Sequence, residues 1–290
     1  MVVQAAPCVK WAGGKRKLLP VLEPLLPQSW GRYYEPCLGG GALFFHLWSA
    51  GRLTGGSSLN DLNQRLMNLY RGLQADVEAV VRELEHLALD TSEAGYLRAV
   101  KEFNAHRPEP AGSHLLFPMR EQLPLARQAA LLLFIIRLCF NGLFRERRNG
   151  GYNVGYCHNP AQFTLRADEL RATAQALAGA QLTCRDFADA ALEAQRGDLV
   201  FIDSPYDGTF TGYLGGGFGP KDQDRLARTC EILHDRGVLF LLTNSDTKAT
   251  RARFSEFEII SSKEARSINN DGTGRDAEEC VIVRNYRSGA

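Results

Sequence analysis

Apolar residues in the chain fall into two patterns, short continuous runs and longer stretches with helical spacing. A short apolar run bounded by turn residues is typical of a buried strand. Residues 199–202 and 238–242 are the clearest runs, and both end in polar residues. Weaker runs of the same kind cover residues 33–35, 57–59, 257–260 and 279–283. We therefore predict a sheet whose strands come from both ends of the chain.

The middle of the chain has helical spacing instead. Leucine and valine recur every three or four residues between residues 62 and 104, which predicts amphipathic helices. Residues 128–140 are almost continuously apolar and predict a buried helix. Residues 107–124 are rich in proline, glycine and polar residues and predict a linker. Further helical patterns begin near Ala42 and cover residues 162–178 and 222–235.

These elements predict two domains. Residues 1–61 and 186–290 together form one open α/β sheet, and residues 62–185 form an inserted, mainly helical domain. Within the insert, Asn-Gly and Asn-Gly-Gly steps are strong turn formers, so we expect a basic β-hairpin near residues 141–156.

Composition narrows the classes of function. The 290 residues carry a formal net charge of +1, so a nucleic-acid surface has to be local. The seven cysteines are scattered without a Cys-x-x-Cys pair, which argues against a disulfide framework or a zinc site and favours a reducing compartment. We see no secretory leader and no apolar run of membrane-spanning length, so we expect an intracellular protein.

The run at 199–202 leads directly into Asp203-Ser204-Pro205-Tyr206. In open α/β sheets, ligands bind outside the carboxyl ends of the strands, so a carboxylate and an aromatic ring here are candidates for chemistry. Asp, Ser and Pro are also common turn residues, so a plain turn is the alternative. Residues 207–219 are glycine-rich and suit a lid that orders over a substrate.

The first predicted strand ends at Glu35 and is followed by the glycines 39–41. Such a loop lets a cofactor approach the backbone, and Asp61, about twenty residues later, suits the hydroxyls of a ribose. The dinucleotide fingerprint is incomplete because Phe44 occupies the place of its last glycine, and no P-loop is present. The loop therefore indicates a nucleoside-containing cofactor, with a ligand-free loop as the alternative.

Basic residues concentrate in two places, residues 10–17 and residues 137–148. The first is a lysine-rich turn with two glycines, suited to a phosphate or nucleotide. The second places arginines beside Asn141, Leu143 and Tyr152. Arginine and asparagine can bond to base edges and leucine can contact a thymine methyl, so this hairpin suits nucleic acid. A solvated basic loop is the alternative.

Six motifs occur in an order that resembles one family: Lys10-Trp11-Ala12-Gly13-Gly14-Lys15, the glycine loop, Asn141-Gly142-Leu143-x-Arg145, Asn153-Val154, Asp203-x-Pro205-Tyr206 and Arg266-Ser267-Ile268. They are similar to the DNA adenine-N6 methyltransferases of the GATC-methylating, D12 class. The resemblance covers nearly the whole chain. It implies a Rossmann-like S-adenosylmethionine-dependent methyltransferase sheet, with an inserted helical domain that recognises double-stranded DNA.

The resemblance also implies roles for particular residues. A catalytic role is implied for Asp203, Ser204, Pro205 and Tyr206. Contact with S-adenosylmethionine is implied for Trp11, Lys15, Glu35, Pro36, Cys37, Gly39, Gly41, Asp61 and Asp203. Contact with DNA is implied for Lys10, Phe140, Asn141, Leu143, Arg145 and Asn153. Phe140 is expected to intrude into the duplex beside the vacated adenine, Leu143 to meet a thymine methyl, and Arg145 to recognise a guanine. No metal is required.

Three positions depart from the family pattern. Ser204 replaces the first proline of the catalytic turn, so we expect a less rigid turn and slower turnover. Cys37 stands where an aromatic is common beside the cofactor. Gly155 follows Asn153-Val154 where relatives of GATC specificity have a proline that contributes to thymine recognition.

Three other functions stay open at this stage. The protein could bind DNA and cofactor without turnover, methylate another planar amine or amide such as a protein glutamine or an RNA base, or be a nicotinamide oxidoreductase. We expect a monomer that binds double-stranded DNA, requires neither metal nor membrane, and acts in the cytoplasm, as a bacterial or a phage-encoded protein.

Overall fold

The chain forms two units in the computed structural model, which describes residues 4–106, 123–147, 150–159, 161, 163–207, 217–264 and 278–287. The helical unit contains residues 4–12 and the described part of 63–178. The sheet unit contains the described parts of 13–62, 179–212 and 216–290. The motif Arg266-Ser267-Ile268 and most of the predicted lid lie outside the described residues.

The strands in chain order are β1 (Tyr33–Glu35), β2 (Ser57–Asn60), β3 (Ala180–Thr183), β4 (Leu199–Asp203), β5 (Leu239–Ser245), β6 (Glu258–Glu264) and β7 (Glu278–Arg284). The α-helices are α1 (Leu19–Leu22), α2 (Ala42–Ser49), α3 (Gln64–Ala88), α4 (Glu93–Ala105), α5 (Leu125–Leu138), α6 (Ala167–Leu177), α7 (Phe187–Ala191), α8 (Pro220–Asp235) and α9 (Lys248–Arg253). Single 3-10 turns cover Lys15–Lys17, Glu23–Leu25 and Phe140–Gly142.

The sheet has the strand order β3-β2-β1-β4-β5-β7-β6. Strands β1 to β5 are parallel, and β7 runs antiparallel between β5 and β6. The order reverses between β1 and β4, and the crevice at such a switch point is where open α/β sheets bind ligands. The prediction of an open α/β sheet is confirmed, and the switch point lies at the glycine loop after β1 and the acidic turn after β4.

The strands that end at this crevice are anchored in the core. Val200 and Ile202 of β4 pack with Phe240 and Leu242 of β5 in one cluster, which α8 joins through Leu226 and other apolar residues. Burying each such side chain contributes about 1.5–3 kcal/mol. The carboxyl ends of β4 and β5 are thus held rigidly in place.

The helical unit is built around α3 and α5. Residues 129–136 of α5 are buried throughout, as the continuous apolar run predicts. Gly72 of α3 faces α5 at close range, and a Cβ there would lie 2.8 Å from the carbonyl oxygen of Leu125. Helix α3 is kinked at Asp76, whose carboxylate accepts the amide hydrogen of Ala79 and caps the second half. Among the described helices, none combines the length and apolar character needed to cross a membrane.

The structure differs from the sequence prediction in three places. Strand β3 lies within the predicted insert but belongs to the sheet, and its edge position leaves Gln181 exposed, so no apolar run marks it. Residues 4–12 group with the helical unit instead of the sheet unit. Helix α5 stops at Leu138, before the predicted end at residue 140, because Cys139 is extended and Asn141 has φ 58°.

Candidate active site

The acidic turn after β4 is fixed from the neighbouring strand. Asp203 pairs in register with Thr243 of β5. The hydroxyl of Thr243 donates a hydrogen bond of 2.6 Å to Asp203 Oδ1. Hydrogen bonds to a carboxylate are stronger than those between neutral groups, so β5 sets the orientation of this carboxyl group.

Lys15, in the 3-10 turn after the second glycine of the basic motif, points its ammonium group at the same turn. Its Nζ lies 3.0 Å from Asp203 Oδ1, and it donates a hydrogen bond of 2.7 Å to the carbonyl of Gly13. It also lies 4.5 Å from the centre of the Tyr206 ring. Lys15 is only 5% exposed, so water screens these interactions weakly. The structure therefore brings Lys15, Asp203 and Tyr206 together.

Ser204, the residue that departs from the family pattern, is 2% exposed. Its hydroxyl oxygen is buried and has no hydrogen-bond partner among the described residues. An unsatisfied buried hydroxyl costs about 1–3 kcal/mol. The Ser204 side chain therefore does not stabilise the turn in the way that a proline at position 204 would.

Two residues that the sequence analysis did not single out hold the rest of the turn. Gln223 of α8 donates from Nε2 to the carbonyl of Pro205 at 2.9 Å. Asn244 of β5 accepts the amide hydrogen of Asp207 on Oδ1 at 2.9 Å. The only sequence signal was the polar end of the apolar run 238–242, and nothing in the sequence connects Gln223 with residue 205.

The glycine loop after β1 is tied to the end of β2. The amide of Gly39 donates a hydrogen bond of 2.8 Å to Asp61 Oδ2, so these two predicted cofactor residues lie side by side. Asn60, just before Asp61, donates from its buried amide to the carbonyl of Pro36. Gly41 has φ 68° and precedes α2, a left-handed conformation that disfavours other residues.

Glu35 is buried at the end of β1, with 2% exposure. Tyr33 donates its hydroxyl hydrogen to Glu35 Oε2 at 2.7 Å. Burial raises the pKa of Glu35 from its usual 4.5 to about 8, and the nearby Asp203 carboxylate contributes in the same direction. Burial likewise raises the pKa of the Cys37 thiol, and the carboxylates of Asp61 and Asp203 raise it further. Cys37 therefore carries a neutral thiol near both acidic groups.

In the helical unit, the first basic motif packs on the hairpin. Lys10 donates from Nζ to the carbonyl of Asn141 at 2.9 Å. The Trp11 ring stacks on Phe144, with ring centres 5.0 Å apart and planes inclined by 23°. Asn141 itself has a left-handed φ of 58°, which asparagine tolerates better than most residues. Lys10 and Asn141, both predicted DNA contacts, are thus neighbours.

The hairpin displays its polar side chains on a lightly paired backbone. Two isolated antiparallel bridges join Cys139 to Tyr156 and Glu146 to Tyr152. Arg145 is exposed and donates from Nε to Asn153 Oδ1 at 3.1 Å. Phe140 is 58% exposed, unusually high for a ring of this size. Leu143 is half-buried beside them.

Side chains from α3 and α4 support this backbone from beneath. Arg65 forms a 2.8 Å ion pair with Glu146. The Asn104 side chain bonds to both the amide and the carbonyl of Tyr152, as a neighbouring strand would. Tyr96 donates its hydroxyl hydrogen to the carbonyl of Val154 at 2.7 Å. Side chains of α3 and α4 therefore anchor the hairpin in addition to its own backbone hydrogen bonds.

The sheet topology and the acidic turn at the switch point define an open α/β fold with a ligand-binding crevice. The family model for D12 class N6 adenine-specific DNA methyltransferases matches residues 11–268. The chain belongs to this family, and the resemblance inferred from its motifs is confirmed.

Curated relatives agree with this assignment. The type II methyltransferase M1.LlaDCHI of Lactococcus lactis subsp. cremoris is 28% identical over 98% of this chain and 96% of its own length. The DNA adenine methylase of Escherichia coli strain K12 is 28% identical over 97% and 95%. The DNA N-6-adenine-methyltransferase of Escherichia phage P1 is 31% identical over 94% of this chain, which spans 34% of the phage protein.

Proposed function

We propose that the protein transfers a methyl group from S-adenosylmethionine to the exocyclic N6 amine of adenine in double-stranded DNA, within the sequence GATC. The adenine leaves the helix, because an enzyme cannot reach an amine that is paired inside a duplex. Membership of the family supports adenine and DNA as the targets. The observation that carries the proposal is the cluster of Lys15, Asp203 and Tyr206 after β4.

The adenine amine is a poor nucleophile because its lone pair is delocalised into the ring. In the proposed mechanism, Asp203 and the backbone carbonyl of Ser204 each accept a hydrogen bond from one N–H of the amine. These bonds localise the nitrogen lone pair and aim it at the methyl group to be transferred. The contacts to Asp203 from Lys15 and Thr243 both fall on Oδ1. Among the described residues this leaves Oδ2 available to the amine.

Tyr206 is proposed to stack on the extruded base. Stacking between a base and an aromatic side chain contributes about 1–3 kcal/mol. This offsets part of the few kcal/mol needed to unstack the base. The Lys15 ammonium group beside the ring restricts where the ring can lie, and so supports a fixed stacking surface.

The glycine loop fits a nucleoside-containing cofactor. A Cβ at Gly41 would lie 3.1 Å from the Phe45 ring, which disfavours a larger residue there. The loop therefore presents a backbone without a side chain just before α2. Asp61, positioned by the Gly39 amide, offers carboxylate oxygen to ribose hydroxyls. When bound, S-adenosylmethionine supplies the electrophilic methyl group. Trp11, Lys15, Glu35, Pro36 and Cys37 remain predicted members of this set, although the buried Glu35 suits a supporting role better than direct contact.

The helical unit is proposed to recognise the DNA sequence. Asn153 accepts a hydrogen bond from Arg145 Nε, and among the described residues no hydrogen bond occupies the two terminal nitrogens, which suit a bidentate contact with guanine. Lys10 and Asn141 are proposed to contact DNA near the first guanine and the vacated adenine. The exposed Phe140 ring suits insertion into the duplex, and Leu143 suits a thymine methyl.

Methylation of plasmid DNA tests this function. Purified protein and S-adenosylmethionine are incubated with plasmid from a host that lacks adenine methylation, and single-molecule sequencing then locates modified bases. We expect N6-methyladenine on both strands of GATC and none when the cofactor is omitted. Methylation of another sequence would overturn the assigned specificity, and no methylation anywhere would overturn the activity.

Binding without turnover is a second candidate, favoured by the unsatisfied Ser204 hydroxyl in the catalytic turn. It predicts nanomolar to micromolar binding of duplex DNA and S-adenosylmethionine with no transfer. Substitution Ser204→Pro separates the two functions. If Ser204 merely slows turnover, this variant should increase the rate of methyl transfer while leaving both affinities within a few-fold.

A further inference from the structure

The two peptide groups on either side of Tyr206 are each held by a buried side-chain amide. The carbonyl of Pro205 accepts from Gln223 Nε2, and the amide of Asp207 donates to Asn244 Oδ1. The two amides also bond to each other, since Asn244 Nδ2 donates to Gln223 Oε1 at 2.9 Å. Gln223 is 1% exposed and Asn244 is fully buried. We refer to Gln223 and Asn244 as the amide clamp.

The direction of every hydrogen bond in the clamp is forced by the backbone. The Asp207 amide can only donate, so Asn244 must turn Oδ1 towards it, and the amide of Ser245 donates to the same oxygen. Nδ2 of Asn244 then faces Gln223, which must present Oε1. Only Nε2 of Gln223 remains for the carbonyl of Pro205. A carboxylate at either position would therefore oppose at least one partner.

We propose that Gln223 and Asn244 are positioning residues that fix the backbone on both sides of Tyr206 and so orient its ring towards the substrate base. This inference rests on the proposed function, because it assigns the clamp to the stacking residue of that reaction. Ser204 does not restrict its own φ as a proline would. Pro205 fixes only its own φ, so contacts from outside the turn add to its rigidity, and the clamp supplies two of them.

Loss of the clamp should slow methyl transfer more than it weakens binding. Small misplacements of reacting groups lower rates by up to about 100-fold. For Gln223→Leu, which keeps the volume but removes both hydrogen bonds, we expect roughly a 10- to 100-fold lower single-turnover rate constant. The dissociation constant for S-adenosylmethionine should change by no more than about threefold, because the clamp does not touch the glycine loop.

The helical unit offers a matched control. Gln128 of α5 donates from Nε2 to the carbonyl of Leu123 and accepts from Asn68 Nδ2 on Oε1. Gln128→Leu thus removes an equivalent pair of hydrogen bonds within the helical unit. Both leucine variants should lose stability, and Gln128→Leu less because Gln128 is half-buried, but only Gln128→Leu should keep a near-normal transfer rate.

A carboxyl variant adds a readout that a purely structural role would not move. In Gln223→Glu an ionised side chain opposes the carbonyl of Pro205, whereas the protonated acid can donate to it. Its transfer rate, divided by that of the wild type at the same pH, should therefore rise as pH falls from 8.5 to 6. The same ratio for Gln223→Leu should stay constant. Thermal melts at each pH confirm that every variant is folded.

The deciding experiment combines single-turnover transfer to a GATC duplex with hydrogen exchange of the peptide covering residues 203–207. The clamp predicts slower transfer and faster exchange in Gln223→Leu, and neither change in Gln128→Leu. The clamp would be overturned if Gln223→Leu had the same transfer rate constant and the same exchange rate as the wild type. It would also be overturned if the ratio of the Gln223→Glu transfer rate to the wild-type rate did not change with pH. A wild-type protein without transfer would overturn the proposed function instead, and the exchange rates would still decide whether the clamp fixes the turn.

Discussion

The acidic turn of the sheet unit and the hairpin of the helical unit hold their functional side chains in different ways. Asp203 is contacted by Lys15 and Thr243, and the backbone that follows it is clamped by buried amides. In the hairpin, Arg145 and Phe140 are exposed on a backbone that contains two isolated bridges and a few further backbone hydrogen bonds. Methyl transfer requires that the reacting groups be held in one geometry. Recognition of DNA requires side chains that are exposed to the duplex on a backbone that is itself held in place.

Substitution Asp203→Ala should have the largest effect. It removes the proposed acceptor for the adenine amine, so we expect methyl transfer to fall by at least about 1,000-fold. S-adenosylmethionine affinity, measured by calorimetry, should stay within a few-fold, because Asp203 is only one of nine implied cofactor contacts. Asp224→Ala is the matched control, since this exposed carboxylate on α8 pairs only with Arg253 in the described contacts. Substantial residual transfer in Asp203→Ala would remove Asp203 from the catalytic role.

Substitution of Glu35 shows how a buried carboxyl group at the end of β1 affects the stability of the protein. Its folded pKa is raised to about 8 from the usual 4.5, so folding favours the protonated form. Wild-type stability should therefore fall as pH rises through this window, by up to about 1.4 kcal/mol per pH unit. Glu35→Gln carries no proton to lose. Its stability relative to the wild type should therefore increase steadily as pH rises from 5 to 8.

Urea unfolding at several pH values measures this difference. Glu258→Gln provides the opposite control, because Arg284 holds the pKa of the partly exposed Glu258 below its usual value. That variant should lose stability relative to the wild type above pH 4.5. A Glu35→Gln stability difference that does not change with pH would mean that Glu35 is not buried as a neutral acid.

The sequence predicted much of the fold because buried parallel strands leave continuous apolar runs, as in β4 and β5. It did not predict β3, since an edge strand with an exposed face leaves no such run. The choice of Asp203, Tyr206, Gly39 and Asp61 as candidate residues follows from local motifs and spacing. The contacts of Asp203 with Lys15 and Thr243, and the clamp, depend on strand register and on residues far apart in sequence, which no local pattern encodes.

Arg145→Ala tests the hairpin and should have a moderate effect. A bidentate contact with guanine contributes about 1–3 kcal/mol of discrimination. We therefore expect relaxed specificity at one guanine, measured by competition between GATC and singly substituted duplexes. Arg147→Ala is the control, since Arg147 is exposed in the same hairpin and its described hydrogen bonds are made by the backbone. Equal weakening on every sequence would make Arg145 a phosphate contact.

Gly155→Pro should have the smallest effect. It tests whether residue 155 contributes to recognition of the thymine methyl. Gly155 is exposed, its φ lies outside the left-handed region, and an added Cβ would meet nothing within 4 Å. Proline keeps the carbonyl that accepts the amide hydrogen of Phe140 at 2.9 Å. A ring carbon placed against the thymine methyl should contribute about 0.8 kcal/mol, or roughly a fourfold preference for thymine over uracil.

Competition between GATC and GAUC duplexes measures this preference, with Gly155→Ala as the control that adds Cβ without the ring. Both substitutions also change protein stability through the unfolded chain, so the comparison must use ratios of rates on the two duplexes rather than rates alone. An unchanged ratio in Gly155→Pro would mean that the thymine methyl lies beyond residue 155. Discrimination at that base pair would then rest on Leu143, whose half-buried side chain is the remaining apolar contact in the proposed set.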